Sequence, residues 1–247
     1  MVDSTVRKIR TGIPGFDTII SGGLREGRPV VLCGPPGSGK TTFGLQFLYT
    51  GARDFDEPGV FVTLSQSADE MIQDCKAFGI DLQKLIDEDK ILIIDARPFK
   101  SEDDGIMFLD ESLYRGENLP FSHLTQLILS SIRRVKAKRL VIDSLTVLSI
   151  HYSNKFSMRQ GLQGMAQALE ASGCTSLLIS EQIDTENPPL EWYIASGIIM
   201  LHHIRKEDTM ERAIQVIKLR GTKHSEQIFP IRLDEKGLHV LHPRLTP

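Results

Sequence analysis

The chain has 247 residues, of which 40% are hydrophobic and 25% are charged, and its formal net charge is −3. Such a chain is long enough to bury a substantial core without disulfides or metals, and its composition is ordinary for a globular protein. The small negative charge excludes an overall basic field that would attract nucleic acid or anionic lipid, which leaves only a local basic patch for that purpose.

The three cysteines, Cys33, Cys75 and Cys174, are too far apart for a metal site or a disulfide framework. This usage favours a reducing compartment. Residues 1–10 lack the apolar segment of a signal peptide, and no apolar run is long enough to span a bilayer. We therefore expect a cytoplasmic protein that makes no membrane contact.

Apolar, β-branched runs predict a series of strands with amphipathic helices between the earlier ones. One of these helices carries an apolar stripe of Met158, Leu162, Met165 and Leu169, which we interpret as core. The predicted strands lie at 30–33, 60–64, 91–94, 140–142, 176–179, 198–201, 213–219, 228–233 and 238–241. The early strands are continuously apolar, as expected when both faces of a sheet are covered. After residue 198 the strands follow one another without helices. The pattern predicts an α/β fold whose mostly parallel sheet is flanked by helices and extended by antiparallel C-terminal strands, in one domain over residues 1–247.

Two polar stretches predict surface loops. The acidic segment 97–120 is either a functional lid or a disordered insertion. The segment 184–191 follows a predicted strand, at the end of a parallel sheet where ligands bind.

A glycine-rich motif follows the first predicted strand. It reads Gly34-Pro35-Pro36-Gly37-Ser38-Gly39-Lys40-Thr41 and fits the pattern G-x-x-x-x-G-K-[ST] of the phosphate-binding P-loop. A helical segment follows, so the loop amides and the helix N-terminus would both face an anion. Lys40 would reach the β and γ phosphates, and the Thr41 hydroxyl would bind Mg²⁺. The alternative is an ordinary glycine-rich turn, but the flanking strand and helix favour nucleoside triphosphate binding.

Two further strand ends carry candidate site residues. Asp143 follows an apolar strand and is a candidate second Mg²⁺ ligand, unless it only caps a turn. Gln182 follows the strand at 176–179, where its neutral amide would hydrogen-bond the γ-phosphate or the attacking water. The alternative for Gln182 is a solvated loop residue.

Four segments together resemble the KaiC-like branch of the RecA/RadA ATPases. They are T-G-I-P-G-F-D at 11–17 with G-G-L at 22–24, G-P-P-G-S-G-K-T-T at 34–42, V-I-D-S at 141–144, and K-L-R-G-T-K-H-S at 218–225. The resemblance covers nearly the whole chain. It implies a RecA-type P-loop NTPase fold, with ATP bound between the subunits of a ring or filament, a hexameric ring being favoured.

The resemblance also implies roles for individual residues. Thr42 would complete the ATP-binding stretch that begins at Gly34. Lys218 and Arg220 would contact the γ-phosphate of a neighbouring subunit, and Thr222 and His224 would lie near that same nucleotide. On a strand, Lys218 and Arg220 would share one face, because they are two residues apart. Without the resemblance, we would interpret this as a solvated strand face.

The chain departs from this family after its second predicted strand. Ser65 and Gln66 stand where an acidic pair is expected, and neither can act as a general base near neutral pH. Gln66 would still orient a water molecule, and Glu181, at an adjacent strand end, is an alternative catalytic acid or base. We therefore expect normal ATP binding with slow hydrolysis. The pair that is autophosphorylated in the clock protein falls at Trp192-Tyr193, which argues against circadian phosphorylation.

Three functions remain open from the sequence. The first is a slow Mg²⁺-dependent ATPase, and the second is a non-hydrolysing, ATP-dependent scaffold or signalling module. The third is a RadA-like recombination or repair accessory protein that binds single-stranded DNA. The candidate DNA contacts are the aromatic pair Trp192-Tyr193 and the basic run between Arg133 and Arg139, but acidic residues such as Glu191 disfavour phosphate. The alternative interpretation of the basic run is a solvated face at a helix end. Nucleic acid is thus not the favoured partner.

Overall fold

The computed structural model describes residues 7–97, 121–151, 155–181 and 188–241. Almost all of the acidic segment 97–120, and the candidate residue Gln182, lie outside the described residues. Within the part of the chain that the structure describes, no helix is long and apolar enough to cross a membrane.

The described residues form eleven strands and eight helices. The strands are β1 (Lys8–Ile9), β2 (Leu24–Arg25), β3 (Pro29–Cys33), β4 (Gly59–Thr63), β5 (Ile91–Asp95), β6 (Arg139–Asp143), β7 (Thr175–Ser180), β8 (Gly197–Lys206), β9 (Thr209–Leu219), β10 (Ile228–Asp234) and β11 (Gly237–Val240). The helices are α1 (Phe16–Ile19), α2 (Lys40–Asp54), α3 (Ala68–Lys76), α4 (Leu82–Asp87), α5 (Phe121–Val135), α6 (Leu145–His151), α7 (Lys155–Ser172) and α8 (Leu190–Ile194).

Nine of these strands form one sheet in the order β11-β10-β9-β8-β3-β7-β6-β4-β5. The pairs from β8 to β5 are parallel, and the pairs from β8 to β11 are antiparallel. The predicted fold class is therefore confirmed, and each of the nine predicted strands has its counterpart in the sheet. β1 and β2 form a separate antiparallel pair, which the sequence did not predict.

The main difference from the sequence prediction is the length of β8 and β9. The strand predicted at 198–201 runs on to Lys206, and its partner begins at Thr209 rather than residue 213. The added residues are mostly polar and partly exposed, so no apolar run marks them. They form a hairpin that continues beyond the end of β3.

Helices cover both faces of the sheet and divide the core in two. One cluster packs Phe43, Phe47 and Leu48 of α2 against strand residues such as Val141 and Leu177. The other places α5 and α7 on the opposite face, where the predicted apolar stripe of α7 is buried. Met158 and Met165 of that stripe are core residues, as predicted. The assignment of residues 1–247 to one domain stays a prediction.

Arg139 corrects the interpretation of the basic run as a solvated face. Its side chain is fully buried, 2.5 Å from a Glu57 carboxylate oxygen, and it donates to the carbonyl oxygens of Phe47 and Arg10 at 2.7 and 2.8 Å. The guanidinium also lies over the Phe47 ring. Burial lowers the Arg139 pKa and the charge of Glu57 opposes that shift. Arg139 is therefore a structural cation that is not accessible to nucleic acid, whereas Arg133 is exposed.

The T-G-I-P-G-F-D motif has a structural explanation. Asp17 accepts hydrogen bonds from the backbone N–H and the hydroxyl of Thr11, at 2.9 and 2.8 Å. These bonds close the loop that precedes α1, and Phe16 packs edge-on against Phe43 of α2. The motif thus anchors the N-terminal segment on the helix that follows the P-loop.

Candidate nucleotide site

The candidate site lies where the parallel strands end. In the register of the sheet Cys33 pairs with Ser180, and Thr63 pairs with both Asp143 and Asp95. The carboxyl ends of these strands therefore meet at one edge, and ligands of open α/β sheets bind in the crevice outside that edge. The P-loop and Glu181 follow β3 and β7, and Asp143 is the last residue of β6, so the sheet places all three at this edge.

The P-loop joins β3 directly to α2. Gly39 is the N-cap of α2 and has a φ of 99°, a left-handed conformation that glycine adopts without strain. The Ser38 hydroxyl is buried and has no hydrogen-bond partner among the described residues. An unpartnered hydroxyl inside the loop fits a site that a ligand with acceptor oxygens completes.

Lys40 is buried at the start of α2. Its ammonium donates to the carbonyl oxygens of Gly34 and Pro35, both at 2.9 Å. Burial lowers the Lys40 pKa, and the negative charges of Glu181 and Asp143 oppose this shift. The charge of Lys40 therefore lies within the loop, between the backbone and two carboxylates.

Thr41 and Asp143, the two candidate Mg²⁺ ligands, are in direct contact. The Thr41 hydroxyl donates to an Asp143 carboxylate oxygen at 2.6 Å. Burial raises the Asp143 pKa, whereas the hydrogen bond from Thr41 and the charge of Lys40 lower it. Two oxygen groups suit a hard cation such as Mg²⁺, which proteins usually bind through one or two side chains together with phosphate oxygens. Among the described residues, no group of three or more His, Cys, Asp and Glu side chains could hold a metal by itself.

Ser65 and Gln66 lie in the turn between β4 and α3. The Thr63 hydroxyl donates to the Gln66 carbonyl at 2.6 Å, and the Gln66 amide donates to Asp74 of α3 at 2.7 Å. Ser67 then begins α3 through a capping box with Glu70. The Gln66 side chain is thus bonded to α3 in this structure.

Glu181 is the carboxylate at the end of β7. Its backbone N–H donates to the Thr146 hydroxyl at 2.9 Å, and the residue is exposed. Its charge acts on both Lys40 and Asp143. Glu181 therefore stands at the site, whereas the position of its neighbour Gln182 is outside the described residues.

Glu191 is a buried acid that the sequence interpretation placed wrongly on an exposed loop. It belongs to α8, is 4% exposed and accepts a 2.5 Å hydrogen bond from the Ser180 hydroxyl. Burial, and then the charge of Glu191, raise the pKa of the Cys33 thiol to about 12, so Cys33 behaves as a small buried residue.

Trp192, the next residue of α8, is also buried, which withdraws it from DNA stacking. Pro188-Pro189 before an apolar segment was the available signal for this short helix.

The four residues implied by the resemblance lie at the other end of the sheet. Lys218 pairs with Ile198 at the start of β8, whereas the P-loop follows Cys33, which pairs with Met200 further along the same strand. The Arg220 backbone N–H donates to the Ser196 carbonyl, before β8 begins. Within one chain, these residues and the P-loop are therefore not brought together.

This C-terminal segment has its own geometry. The Lys218 ammonium donates to the Trp192 carbonyl at 3.0 Å, and its pKa is lowered by burial and by the nearby charge of Arg220. β9 ends at Leu219, so the expectation that Lys218 and Arg220 share a strand face is wrong for Arg220. Arg220 is exposed, and the Thr222 hydroxyl is buried without a hydrogen-bond partner in the described ranges. His224 bonds only to the carbonyl of Ser225 among the contacts described, at 3.1 Å.

Comparisons with known proteins agree with this geometry. The family model described as "ATPase: KaiC" matches residues 9–244. The circadian clock oscillator protein KaiC of Prochlorococcus marinus subsp. pastoris is 35% identical over 239 residues, which are 95% of this chain and 45% of that protein. The KaiC protein of Synechococcus elongatus is 33% identical over 95% of this chain and 44% of its own length. The chain thus spans less than half the length of these curated relatives.

A solved structure matches over almost the whole chain. The KaiC-like protein from the hyperthermophilic archaeon Pyrococcus horikoshii OT3 is 32% identical and has a TM-score of 0.82, covering 96% of this chain and 100% of that one. The range matched by the family model includes both the P-loop and β6, which ends in Asp143. The chain therefore belongs to the KaiC family of ATPases.

Proposed function

We propose that the chain binds Mg-ATP at its P-loop, and that the segment from Lys218 to His224 of a neighbouring copy completes the site. The observation that carries this proposal is the position of the two halves at opposite ends of the sheet. Within its own chain, the pairing of β8 with β9 holds the cationic segment away from the P-loop. A second copy placed head to tail brings the two halves together.

Head-to-tail contacts also define the kind of assembly. Such an interface joins two different surfaces, so repeated association produces a closed ring or an open filament. The family resemblance favours a hexameric ring. The exposed side chain of Arg220 would lie on the γ-phosphate of the neighbouring subunit, where a cation supplied in trans can raise phosphoryl-transfer rates by ~10³–10⁵.

The magnesium ion has plausible ligands in this arrangement. Thr41 and Asp143 would hold it, and its charge would offset the charge on the phosphate oxygens. Lys40 would leave the carbonyl oxygens of Gly34 and Pro35 for the phosphates, since an ammonium group has three donors that can change partners.

We further propose that hydrolysis is slow. At the position of the expected acidic pair, Ser65 and Gln66 offer no carboxylate, and the Gln66 amide is bonded to Asp74. Glu181, next to Lys40 and Asp143, is the remaining candidate base. General-base assistance typically contributes ~10²–10⁴-fold, so its loss or poor placement accounts for a slow step after normal binding.

The test is to measure assembly and turnover on one purified sample. Light scattering after size exclusion gives the mass with and without Mg-ATP, and phosphate release gives the rate. We expect an ATP-dependent ring mass, and we expect Arg220→Ala to lower both assembly and turnover. Arg133→Ala removes an equally exposed arginine at the end of α5 and serves as the matched control. An Arg220→Ala protein that assembles and hydrolyses ATP like the wild type would contradict the shared site.

The same measurements address the second candidate, a scaffold ordered by ATP without hydrolysis. The bond between Gln66 and Asp74 favours it, because it leaves the expected water-activating position facing α3. ATP-dependent mass with no detectable phosphate release would establish the scaffold. DNA binding is disfavoured, because two of its candidate contacts, Arg139 and Trp192, are buried.

A further inference from the structure

Two opposed residues of the β8–β9 hairpin make side-chain contacts with the P-loop. His203 and Arg212 are direct partners in the register of the hairpin. The Arg212 Nε donates to the Gly37 carbonyl at 2.8 Å, and the His203 Nδ1 lies 3.4 Å from the Pro36 carbonyl oxygen. Both contacts come from the part of the hairpin that continues beyond β3.

Every carbonyl from Gly34 to Gly37 is therefore engaged by a side chain. Lys40 contacts the carbonyl oxygens of Gly34 and Pro35 from inside the loop. His203 and Arg212 of the hairpin contact the carbonyl oxygens of Pro36 and Gly37 from outside. Gly37 has a φ of 75°, and a Cβ at this position would lie 3.3 Å from the His203 ring. The His203 ring therefore packs closely on Gly37, where a Cβ would force the ring to move by a few tenths of an ångström.

Peptide geometry gives these outer contacts a consequence. In a trans peptide unit the C=O and the following N–H point in opposite directions, and the unit is rigid. Holding the carbonyl oxygens of Pro36 and Gly37 outward therefore turns the N–H groups of Gly37 and Ser38 to the other side of the loop. Pro35 and Pro36 carry no N–H, so these amides are a large share of the donors that the loop can offer to phosphate. The Ser38 N–H otherwise makes only a long turn bond of 3.3 Å to the Pro35 carbonyl.

We propose that Arg212, with His203 beside it, is a positioning residue that fixes the P-loop amides for phosphate and connects the β8–β9 hairpin to the nucleotide site. This inference rests on the proposed binding of ATP at the P-loop. It adds a means by which a contact on the hairpin changes the affinity of the site. Arg212 acts through the Gly37 carbonyl and not on the reacting atoms.

The first measurement is binding of a fluorescent, ribose-labelled ATP analogue in excess Mg²⁺. We expect Arg212→Ala to weaken binding about 10- to 150-fold, the range for one hydrogen bond from a charged donor. Arg212→Gln keeps an N–H donor without the charge and should recover part of the affinity. Arg205→Ala is the matched control, because Arg205 belongs to the same hairpin but donates to the Glu207 carbonyl. Wild-type affinity in Arg212→Ala, or equal losses in the Gln and Ala variants, would overturn the positioning role.

The second measurement needs no nucleotide. Hydrogen exchange of the Gly37 and Ser38 amides should be faster in Arg212→Ala than in the wild type and unchanged in Arg205→Ala. Unchanged exchange in Arg212→Ala would contradict the inference even if ATP binding falls. If the wild type does not bind the nucleotide analogue, the proposed function fails, while the exchange comparison still decides whether Arg212 fixes the loop.

Discussion

The Asp143 carboxylate, a candidate Mg²⁺ ligand, is buried at the end of β6. Burial raises its pKa, and this effect is larger than the opposing effects of Thr41 and Lys40. Because the folded-state pKa lies above the unfolded one, the ionised carboxylate lowers the free energy of unfolding at neutral pH. This penalty disappears as the pH falls below the unfolded value, about 3.9 for an aspartate.

We therefore predict that Asp143→Asn stabilises the nucleotide-free protein at pH 7. The gain should be on the order of 1 kcal/mol, or ~2–4 °C in Tm, and should vanish near pH 3. Thermal unfolding of both proteins at the two pH values measures it. The same variant should lose Mg²⁺-dependent ATP binding. A lower Tm at pH 7 would show that the Asp143 carboxylate stabilises the fold.

Two helix glycines should respond in opposite directions to alanine. Gly51 of α2 faces Arg139, and a Cβ there would overlap the Nε and Cδ atoms of the guanidinium side chain. Gly51→Ala should therefore destabilise the protein by about 1–3 kcal/mol. Gly164 of α7 is exposed and has open space around it, so Gly164→Ala should stabilise by about 0.5–1 kcal/mol. Urea unfolding of both variants checks the pair, and equal effects would mean that Arg139 yields to the new methyl group.

At the scale of elements, the turn between β4 and α3 offers a direct test of the slow step. Gln66→Glu would place a carboxylate against Asp74, and repulsion should release the side chain from α3. We expect ATP turnover to rise, by about 10-fold or more if the new carboxylate reaches the attacking water. Asp74→Asn alone removes the same contact without adding a base and is the control. A turnover that Gln66→Glu leaves unchanged would remove the missing acid as the cause of slow hydrolysis.

Elements with a strong local pattern could be predicted from the sequence. The continuous apolar strands β3, β4 and β6 and the apolar stripe of α7 were found where expected. The polar extension of β8 and β9 was not, because cross-strand pairing and not hydrophobicity holds it. Glu191 was misplaced because its partner, the Ser180 hydroxyl, belongs to another element. Arg139 was misjudged for the same reason, since Glu57 and the Phe47 carbonyl surround it only after folding.

In the candidate site too, features with a local sequence pattern could be predicted and contacts between distant elements could not. The P-loop and Asp143 were recognisable because each follows its own strand and carries its own motif. The contact between Arg212 and Gly37 joins residues 175 positions apart in the chain. No local pattern around either residue predicts it. The placement of Lys218 at the far end of the sheet likewise required the strand order.

At the scale of the whole molecule, a site shared between copies predicts complementation. Lys40→Ala has a defective P-loop and an intact Arg220, and Arg220→Ala has the reverse. Each variant alone should be inactive. In a random equimolar mixture, roughly a quarter of the head-to-tail contacts join the two intact halves, so roughly a quarter of wild-type turnover should return. Mixing Lys40→Ala with the double variant should restore nothing, and the absence of recovery in the first mixture would argue for sites within single chains.

The strand order also has a consequence for synthesis. β3 ends at Cys33, but its two neighbours are β7 and β8, which begin at Thr175 and Gly197. At ~5–20 residues per second, the ribosome delivers those neighbours about 10 to 30 s after β3 has emerged. Until then an apolar strand with two unpaired edges is exposed on the nascent chain, where it can pair with other chains. The P-loop directly follows β3 in the sequence, but it can adopt its binding conformation only after β7 and β8 have been synthesised.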